Sequence, residues 1–150
     1  GVNQVPLSNS GNNSGFDLKP DAEQSLTTAA TYVADSAILD TWGLRLVAGR
    51  DFRADEVLSV DEESAGAPEP KVAIITAGMA RTLYPNETDV VGRTFYWGST
   101  GPVEIIGVVE SLVTPWGRAF WSDNDGQRSV IFPARLVQNW RTYAVRVDDA

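Results

Sequence analysis

Residues 93–109 read RTFYWGSTGPVEIIGVV, and this stretch decides the fold because it holds the clearest strand signals in the chain. Val103–Val113 is the longest apolar run, and it follows an aromatic and β-branched segment, Arg93–Trp97. The intervening Gly98–Gly101 has the composition of a turn. The stretch therefore predicts a β-hairpin whose second and longer strand covers Pro102–Thr114.

Shorter apolar or β-branched runs on both sides of this hairpin predict the other strands. These runs are Thr28–Ala34, an extended segment Leu44–Val47, Val72–Thr76, Ser129–Phe132 and Thr142–Val147. Short helices are predicted between them, over Ala37–Trp42, Ala77–Tyr84 and Ala134–Trp140. Ser36 and Thr76 are the expected N-caps of the first two helices. The order of elements indicates an α+β domain with a mixed or antiparallel sheet and two or three short helices.

Two segments are predicted to be irregular. Gly1–Asp21 is rich in Asn, Ser and Gly, so we expect a flexible N-terminal loop segment over residues 1–27 and a single α+β domain over residues 28–150. Asp51–Pro70 carries seven carboxylates against the single Arg53. Their spacing does not match an EF-hand loop, so we interpret this segment as a solvated acidic loop without a metal ion.

Composition excludes several classes of function. The chain has no Cys and no His, so it lacks a thiolate nucleophile, a thiolate zinc site and the commonest general base. A formal net charge of −8 argues against nucleic acid as a partner, because phosphate binding needs a basic surface. No Gly-rich phosphate cradle is present, and we expect no cofactor. Val103–Val113 is shorter than the ~20 residues of a spanning helix.

The motif Gly49-Arg50-Asp51-Phe52 has two interpretations. Arg50 and Asp51 could form a partner-binding pair. The structural interpretation makes the motif a tight turn, in which Gly49 takes a positive φ, Phe52 anchors in the core and the charges pair or face water. We favour the turn, because exposed charges contribute little unless their geometry is fixed.

The order of motifs resembles the MacB-like periplasmic core domain of FtsX/MacB-type ABC-transporter permeases. The resemblance rests on five pieces in sequence order: ADSAILDTWGLRLVAGRDF (34–52), KVAIITAGMARTLYP (71–85), DVVGRTFYW (89–97), VEIIGVVES (103–111) and VIFP (130–133). Each piece alone is weak, but their order and spacing together are specific. The family usually enters the helix through Asn, whereas this chain has Thr76 followed by Ala77-Gly78.

The resemblance implies a non-catalytic domain on the periplasmic or extracytoplasmic face of the bacterial inner membrane. Such a domain transmits ATP-driven motion, or contacts substrate or partner proteins during export. The implied partners are an ABC ATPase subunit, acting through the full-length permease, and a periplasmic adaptor or lipoprotein. Because the chain begins at Gly1, we interpret it as a fragment anchored by membrane segments outside it, in a permease that is a dimer when full length.

Trp116, Phe120 and Trp121 are the candidate partner-binding residues, since large aromatics in a polar loop mark interaction surfaces. The alternative is that this loop, Pro115–Gln127, folds back onto the sheet as a lid. Two other classes of function stay open. One is a stand-alone secreted binding module. The other is a hydrolase using two of three carboxylates, Asp51, Asp55 and Glu104.

Overall fold

The computed structural model describes residues 12–61, 69–112 and 128–137. These residues form eight strands, two short helices and one 3-10 turn. The strands are β1 (Asn13–Asp17), β2 (Thr27–Ala34), β3 (Leu46–Gly49), β4 (Leu58–Asp61), β5 (Val72–Thr76), β6 (Thr94–Trp97), β7 (Val103–Val109) and β8 (Ser129–Val137). The helices are α1 (Ile38–Thr41) and α2 (Ala77–Leu83), and the 3-10 turn is Ala54–Glu56. No helix in these described ranges is long and apolar enough to cross a membrane.

Six strands form a closed barrel in the order β2-β1-β6-β7-β5-β8, because β8 also pairs with β2. The β5–β7 and β2–β8 pairs are parallel, and the other four pairs around the barrel are antiparallel. Short strands β3 and β4 lie outside this circuit and pair with β7 and β8. The predicted α+β class and mixed sheet are confirmed, and so is the hairpin of β6 and β7.

Two buried clusters occupy the two faces of the strands. Successive residues of β8 alternate between them: Val130 and Phe132 belong to the first cluster and Ile131 to the second. Helix α2 covers the first cluster with Met79 and Leu83. The second cluster contains Ile38 and Leu39 of α1, together with Tyr32, Phe52, Ile74, Ile106 and Leu112. Strands buried on both faces explain the continuous apolar runs in β5, β7 and β8.

The prediction that Gly1–Asp21 is loop is wrong for β1. Phe16 is 1% exposed and packs edge-on against Phe95, with ring centroids 5.6 Å apart. β1 also pairs with β2 on one side and with β6 on the other. The carboxylate of Asp17 accepts hydrogen bonds from the backbone N–H groups of Leu18, Lys19 and Leu26. One buried aromatic side chain and two paired edges therefore order a segment whose composition indicates a loop.

The expected acidic loop Asp51–Pro70 also contains regular structure. It includes the 3-10 turn Ala54–Glu56 and strand β4, which pairs with β8 in parallel from Leu58↔Ala134 to Asp61↔Val137. Leu58 and Val60 are half-buried and Ser59 is exposed. The short alternating pattern of β4 is masked in the sequence by the carboxylates on both sides of it.

Strand lengths at the C-terminal end differ from the prediction. β7 ends at Val109 rather than Thr114, whereas β8 is the longest described strand with nine residues. The helix predicted over Ala134–Trp140 is wrong for residues 134–137, which continue β8. The reason is that β8 changes neighbour at Pro133: its pairing with β2 ends there, and its pairing with β4 begins at Ala134. Proline lacks an N–H donor and fits where a ladder is interrupted.

The two helices begin with different caps. The predicted cap of α1 is wrong, because the N-cap residue is Ala37 rather than Ser36 and no side chain caps the helix; the carboxylate of Asp35 accepts the backbone N–H of Ala37 (3.3 Å) just before it. The predicted cap of α2 is confirmed: the hydroxyl of Thr76 accepts from the N–H of Met79 (3.3 Å). Gly43 ends α1 with φ +61°. The α1 end thus has the left-handed glycine that its sequence predicts.

The paired strands β3 and β7 approach each other closely at two glycines, and this close approach is called the crossing below. Gly49 pairs with Gly107, and Gly49 has φ +74°. A side chain at Gly49 would overlap the carbonyl oxygen of Ile106, and one at Gly107 would lie 2.5 Å from the carbonyl oxygen of Arg50. The N–H of Arg50 donates to the Ile106 oxygen at 2.9 Å. Both glycines are therefore required by backbone contact.

Substitution of Gly49 tests this crossing. Gly92→Ala is the matched control, because Gly92 has φ +86° but has nothing within 4 Å of an added Cβ. We expect Gly92→Ala to lower the free energy of unfolding by about 1–2 kcal/mol from backbone strain alone. Gly49→Ala should cost on the order of 1–3 kcal/mol more, because of the overlap with β7. Urea denaturation of both variants measures the difference, and equal losses would contradict the close crossing.

Candidate functional site

The segment after β3 forms a fixed corner, Gly49–Glu56, on the outside of the barrel. Phe52 is 6% exposed and belongs to the second buried cluster, so its side chain anchors the corner to the core. The carboxylate of Asp51 accepts the backbone N–H of Phe52 at 2.7 Å. Burial raises the pKa of Asp51 above its ordinary value. The predicted tight turn, with its positive φ and buried phenylalanine, is confirmed.

An ion pair closes the corner. The guanidinium of Arg50 donates two hydrogen bonds to the carboxylate of Glu56, at 2.8 and 2.6 Å, and a third to the backbone oxygen of Asp51 at 3.0 Å. Glu56 also accepts the backbone N–H of Arg53 at 2.8 Å. The hydrogen bonds from Arg50, followed by that from Arg53, lower the pKa of Glu56 from 4.5 to about 2. The arrangement is a two-point clasp between the ends of the corner.

A second two-point ion pair, the fork of Arg45 and Glu110, lies beside the end of β7. Arg45 donates two hydrogen bonds of 2.9 Å to the carboxylate of Glu110, and the N–H of Glu110 donates to the backbone oxygen of Arg45. The side chains are 70% and 57% exposed. Sequence analysis did not identify this pair or the partner of Arg50, because contact partners on different strands leave no signal in a single sequence.

The aromatic loop, Pro115–Gln127, has a stem formed by Leu112 and Ser129, and buried polar contacts hold this stem. The Thr76 hydroxyl accepts the backbone N–H of Ser129 at 3.1 Å, and the Ser129 hydroxyl donates to the backbone oxygen of Leu112 at 3.5 Å. Leu112 and Phe52 share the second buried cluster. The stem and the corner therefore rest on one core. Trp116, Phe120 and Trp121 themselves lie outside the described residues.

The three carboxylates considered for a hydrolase lie in different surroundings. Asp51 bonds to its neighbouring backbone, and Asp55 and Glu104 are exposed on the 3-10 turn and on β7. Both Asp55 and Glu104 lie close enough to Arg50 to raise its pKa, after the larger effect of Glu56. Carboxylate catalysis needs an enclosed pair with different pKa values. Among the described residues, Asp55 and Glu104 are instead exposed and lie near Arg50, the arginine that pairs with Glu56.

The Arg50–Glu56 clasp predicts a pH dependence of stability. The pKa of Glu56 is lower in the folded chain, so protonation favours unfolding. Its stabilising effect is complete above about pH 4.5 and is lost as the pH falls toward about 2. We expect the difference in unfolding free energy between the wild type and Glu56→Gln to narrow over that range. Urea denaturation across this range measures it.

Glu110→Gln is the control for this measurement, because it removes one partner of an exposed fork instead of the clasp. Exposed ion pairs contribute little to stability, so the control should differ little from the wild type at any pH. A Glu56→Gln difference that stays constant from neutral pH down to about pH 2 would contradict the clasp.

Comparison with known proteins finds one matching family and two solved domains of similar structure. The sequence profile of the MacB-like periplasmic core domain matches residues 4–150. The extracellular domain of the noncanonic ABC-type transporter YknZ from Gram-positive bacteria is similar in structure, with TM-score 0.52 and 22% identity over 89% of this chain and 55% of that one. The periplasmic region of MacB from Actinobacillus actinomycetemcomitans is also similar, with TM-score 0.52 and 20% identity over 87% of this chain and 50% of that one.

The chain thus spans about half the length of these two solved domains. No curated protein matches it in sequence. At these identities the two structures support the fold, while the profile covers nearly every residue, including all the described strands. The chain belongs to the family of MacB-like periplasmic core domains.

Proposed function

We propose that this chain is a non-catalytic, extracytoplasmic part of a MacB-type ABC-transporter permease, where it transmits ATP-driven motion to substrate or partner proteins. The family supports the extracytoplasmic setting. On this proposal the ATPase is a separate domain or chain, and membrane segments outside this sequence anchor the domain. A periplasmic adaptor or lipoprotein is the partner class that suits such a module, and the full-length permease would act as a dimer.

The observation that carries this proposal is the course of β8 through the module. Just before its start, the backbone oxygen of Arg128 accepts the N–H of Ala30 at 3.0 Å, and Ser129 contacts Leu112 at the stem of the aromatic loop. At its other end, Val137 pairs with Asp61. Nine strand residues span roughly 26 Å at ~3.3 Å per residue. One strand therefore connects the loop stem with the opposite end of the described module.

The neighbours of β8 suit it to carry load. It is paired with β2, β5 and β4, and its side chains alternate between both buried clusters. The hydrogen bonds of its ladders with β2 and β4 run across the strands, so force along β8 loads many of them together instead of opening them one at a time. A close-packed interior transmits strain with little compression. The module would therefore move as one body.

We further propose that the loop containing Trp116, Phe120 and Trp121 contacts the partner. The stem supports this, because Thr76, Ser129 and Leu112 fix both ends of the loop at one end of the barrel. A partner bound there would be joined directly to β8. Aromatic side chains commonly dominate such interfaces. A lid role for the same loop is the alternative that the second experiment below separates.

An engineered disulfide tests the rigid-body proposal. Ser59 and Arg135 are exposed and pair across β4 and β8, and the chain has no native cysteine. In the full-length permease, oxidised Ser59→Cys/Arg135→Cys should transport at the wild-type rate, because β4 and β8 do not need to separate. The two single-cysteine variants and the reduced double variant are the controls. Loss of transport on oxidation that reductant restores would show that the module changes shape internally.

Tryptophan substitutions test the loop proposal. We expect Trp116→Ala and Trp121→Ala to leave the melting temperature nearly unchanged but to weaken transport or partner binding in the full-length permease. Trp42→Ala is the matched control for the loss of a tryptophan packed within the domain, because Trp42 packs edge-on against the buried Tyr32 with ring centroids 5.4 Å apart. If the loop is a lid, Trp116→Ala and Trp121→Ala should instead cost ~3–5 kcal/mol of stability.

A further inference from the structure

Strand β7 contains a bulge in its parallel ladder with β5. Ala73 of β5 pairs with Ile105, and the next residue of β5, Ile74, pairs with Gly107. Ile106 is therefore an extra residue in β7 between two ladder partners. Bulges are rare in parallel pairs and disrupt the ladder locally, so this one needs a contact outside the ladder to hold it.

The bulge reverses the alternation of side chains along β7. Val103 and Ile105 both belong to the first buried cluster, as expected for residues two positions apart. Val108 belongs to the first cluster as well, whereas an unbroken strand would place it in the second. Val109 correspondingly belongs to the second cluster. Because residues 108 and 109 are both valines, the opposite assignment would conserve side-chain volume, so these two side chains do not select the register.

The corner Gly49–Glu56 supplies contacts that do select the register. The backbone N–H of Arg50 donates to the carbonyl oxygen of Ile106 at 2.9 Å, so the corner binds the extra residue directly. A Cβ at Gly107 would lie 2.5 Å from the carbonyl oxygen of Arg50. Without the bulge, Ile106 would take the place of Gly107 opposite Ile74, and its side chain would overlap that oxygen. The corner therefore admits only the bulged register.

The clasp and the core together hold the corner in place. Arg50 donates two hydrogen bonds to the carboxylate of Glu56. Phe52, which lies between them in sequence, belongs to the same buried cluster as Ile106. The side chain of Arg50 is 38% exposed and that of Glu56 is 17% exposed, so the clasp lies at the surface. A break in the clasp therefore loosens the corner without opening the closed barrel, because the corner lies outside the barrel circuit.

We propose that the corner is a register lock for β7. While the clasp of Arg50 with Glu56 is closed, the corner holds the bulge at Ile106, and when the clasp opens, residues 107–110 leave their register together. Leu112 follows this segment at the stem of the aromatic loop, so the lock also fixes where the stem begins. This inference goes beyond the proposed function, because it names a conformational control inside the domain and requires no partner.

Hydrogen exchange measured residue by residue by NMR tests the lock on the 150-residue chain. In Glu56→Gln, we expect the amides of residues 107–110 to exchange at least about tenfold faster than in the wild type, because the clasp no longer holds the corner. The amide of Glu104, which donates to the carbonyl oxygen of Lys71 before the bulge, should change by less than about threefold. Glu87→Gln is the matched control, since it breaks an ion pair that does not belong to the corner and should leave residues 107–110 unchanged.

Opening the lock from the other side gives a second test, because coupling between two sites is reciprocal. The methyl group of Gly107→Ala pushes against the carbonyl oxygen of Arg50. The amides of Arg53 and Glu56, which are hydrogen-bonded within the corner, should then exchange at least about tenfold faster. Gly101→Ala is the matched control, because nothing lies within 4 Å of an added Cβ at this position.

Three outcomes would each overturn the lock. The first is that Glu56→Gln speeds exchange in the corner but leaves residues 107–110 as they are in the wild type. The second is that the amide of Glu104 is accelerated as much as residues 107–110, because the effect would then not begin at the bulge. The third is that Gly107→Ala leaves the corner amides unchanged.

Discussion

The parallel pairing of β2 with β8 joins an early strand to the last described one, from Ala30↔Ser129 to Ala34↔Pro133. Without it, the same strands would form an open sheet, with β2 at one unpaired edge and residues 129–133 of β8 unpaired at the other. Closure removes those edges and encloses the aromatic cluster of Phe16, Phe95 and Phe132. The pairing also connects residues about 100 positions apart in the chain, so it is available only when most of the fold has formed.

Thr76 links this closure to the rest of the molecule. Its fully buried hydroxyl accepts the N–H of Met79 at the start of α2 and the N–H of Ser129 at the start of β8. One side chain thereby positions the helix that covers the first cluster and the strand that closes the barrel. Ser129 in turn contacts Leu112, at the stem of the aromatic loop. The loop stem is therefore held by the same contacts that hold the core.

The sequence predicts those parts of the fold that are stabilised by local contacts or formed by strongly apolar runs. β5 and β7 are continuous apolar runs buried on both faces, and the GRDF corner contains a glycine and a phenylalanine in a fixed local geometry. β1 and β4 are not predicted, because they are ordered by pairing with distant strands rather than by their own composition. For the same reason, the sequence does not predict the clasp of Arg50 with Glu56 or the fork of Arg45 with Glu110.

Pro133 shows how one residue misleads a prediction made from sequence alone. A proline after a short apolar run favours the end of a strand, yet here it marks the point where β8 passes from β2 to β4. The nine-residue strand that results is the element on which the proposed transmission of motion depends. The two solved transporter domains of similar fold are longer than this chain, which covers 55% and 50% of them.

Hydrogen exchange under native conditions measures most directly whether the barrel is one body. The account predicts that slowly exchanging amides of β2, β5, β7 and β8 share one opening free energy, and that they lose protection together as denaturant is added. A lower opening free energy for β2 alone, with β5, β7 and β8 still protected, would contradict it, because the β2–β8 closure would then open independently of the core.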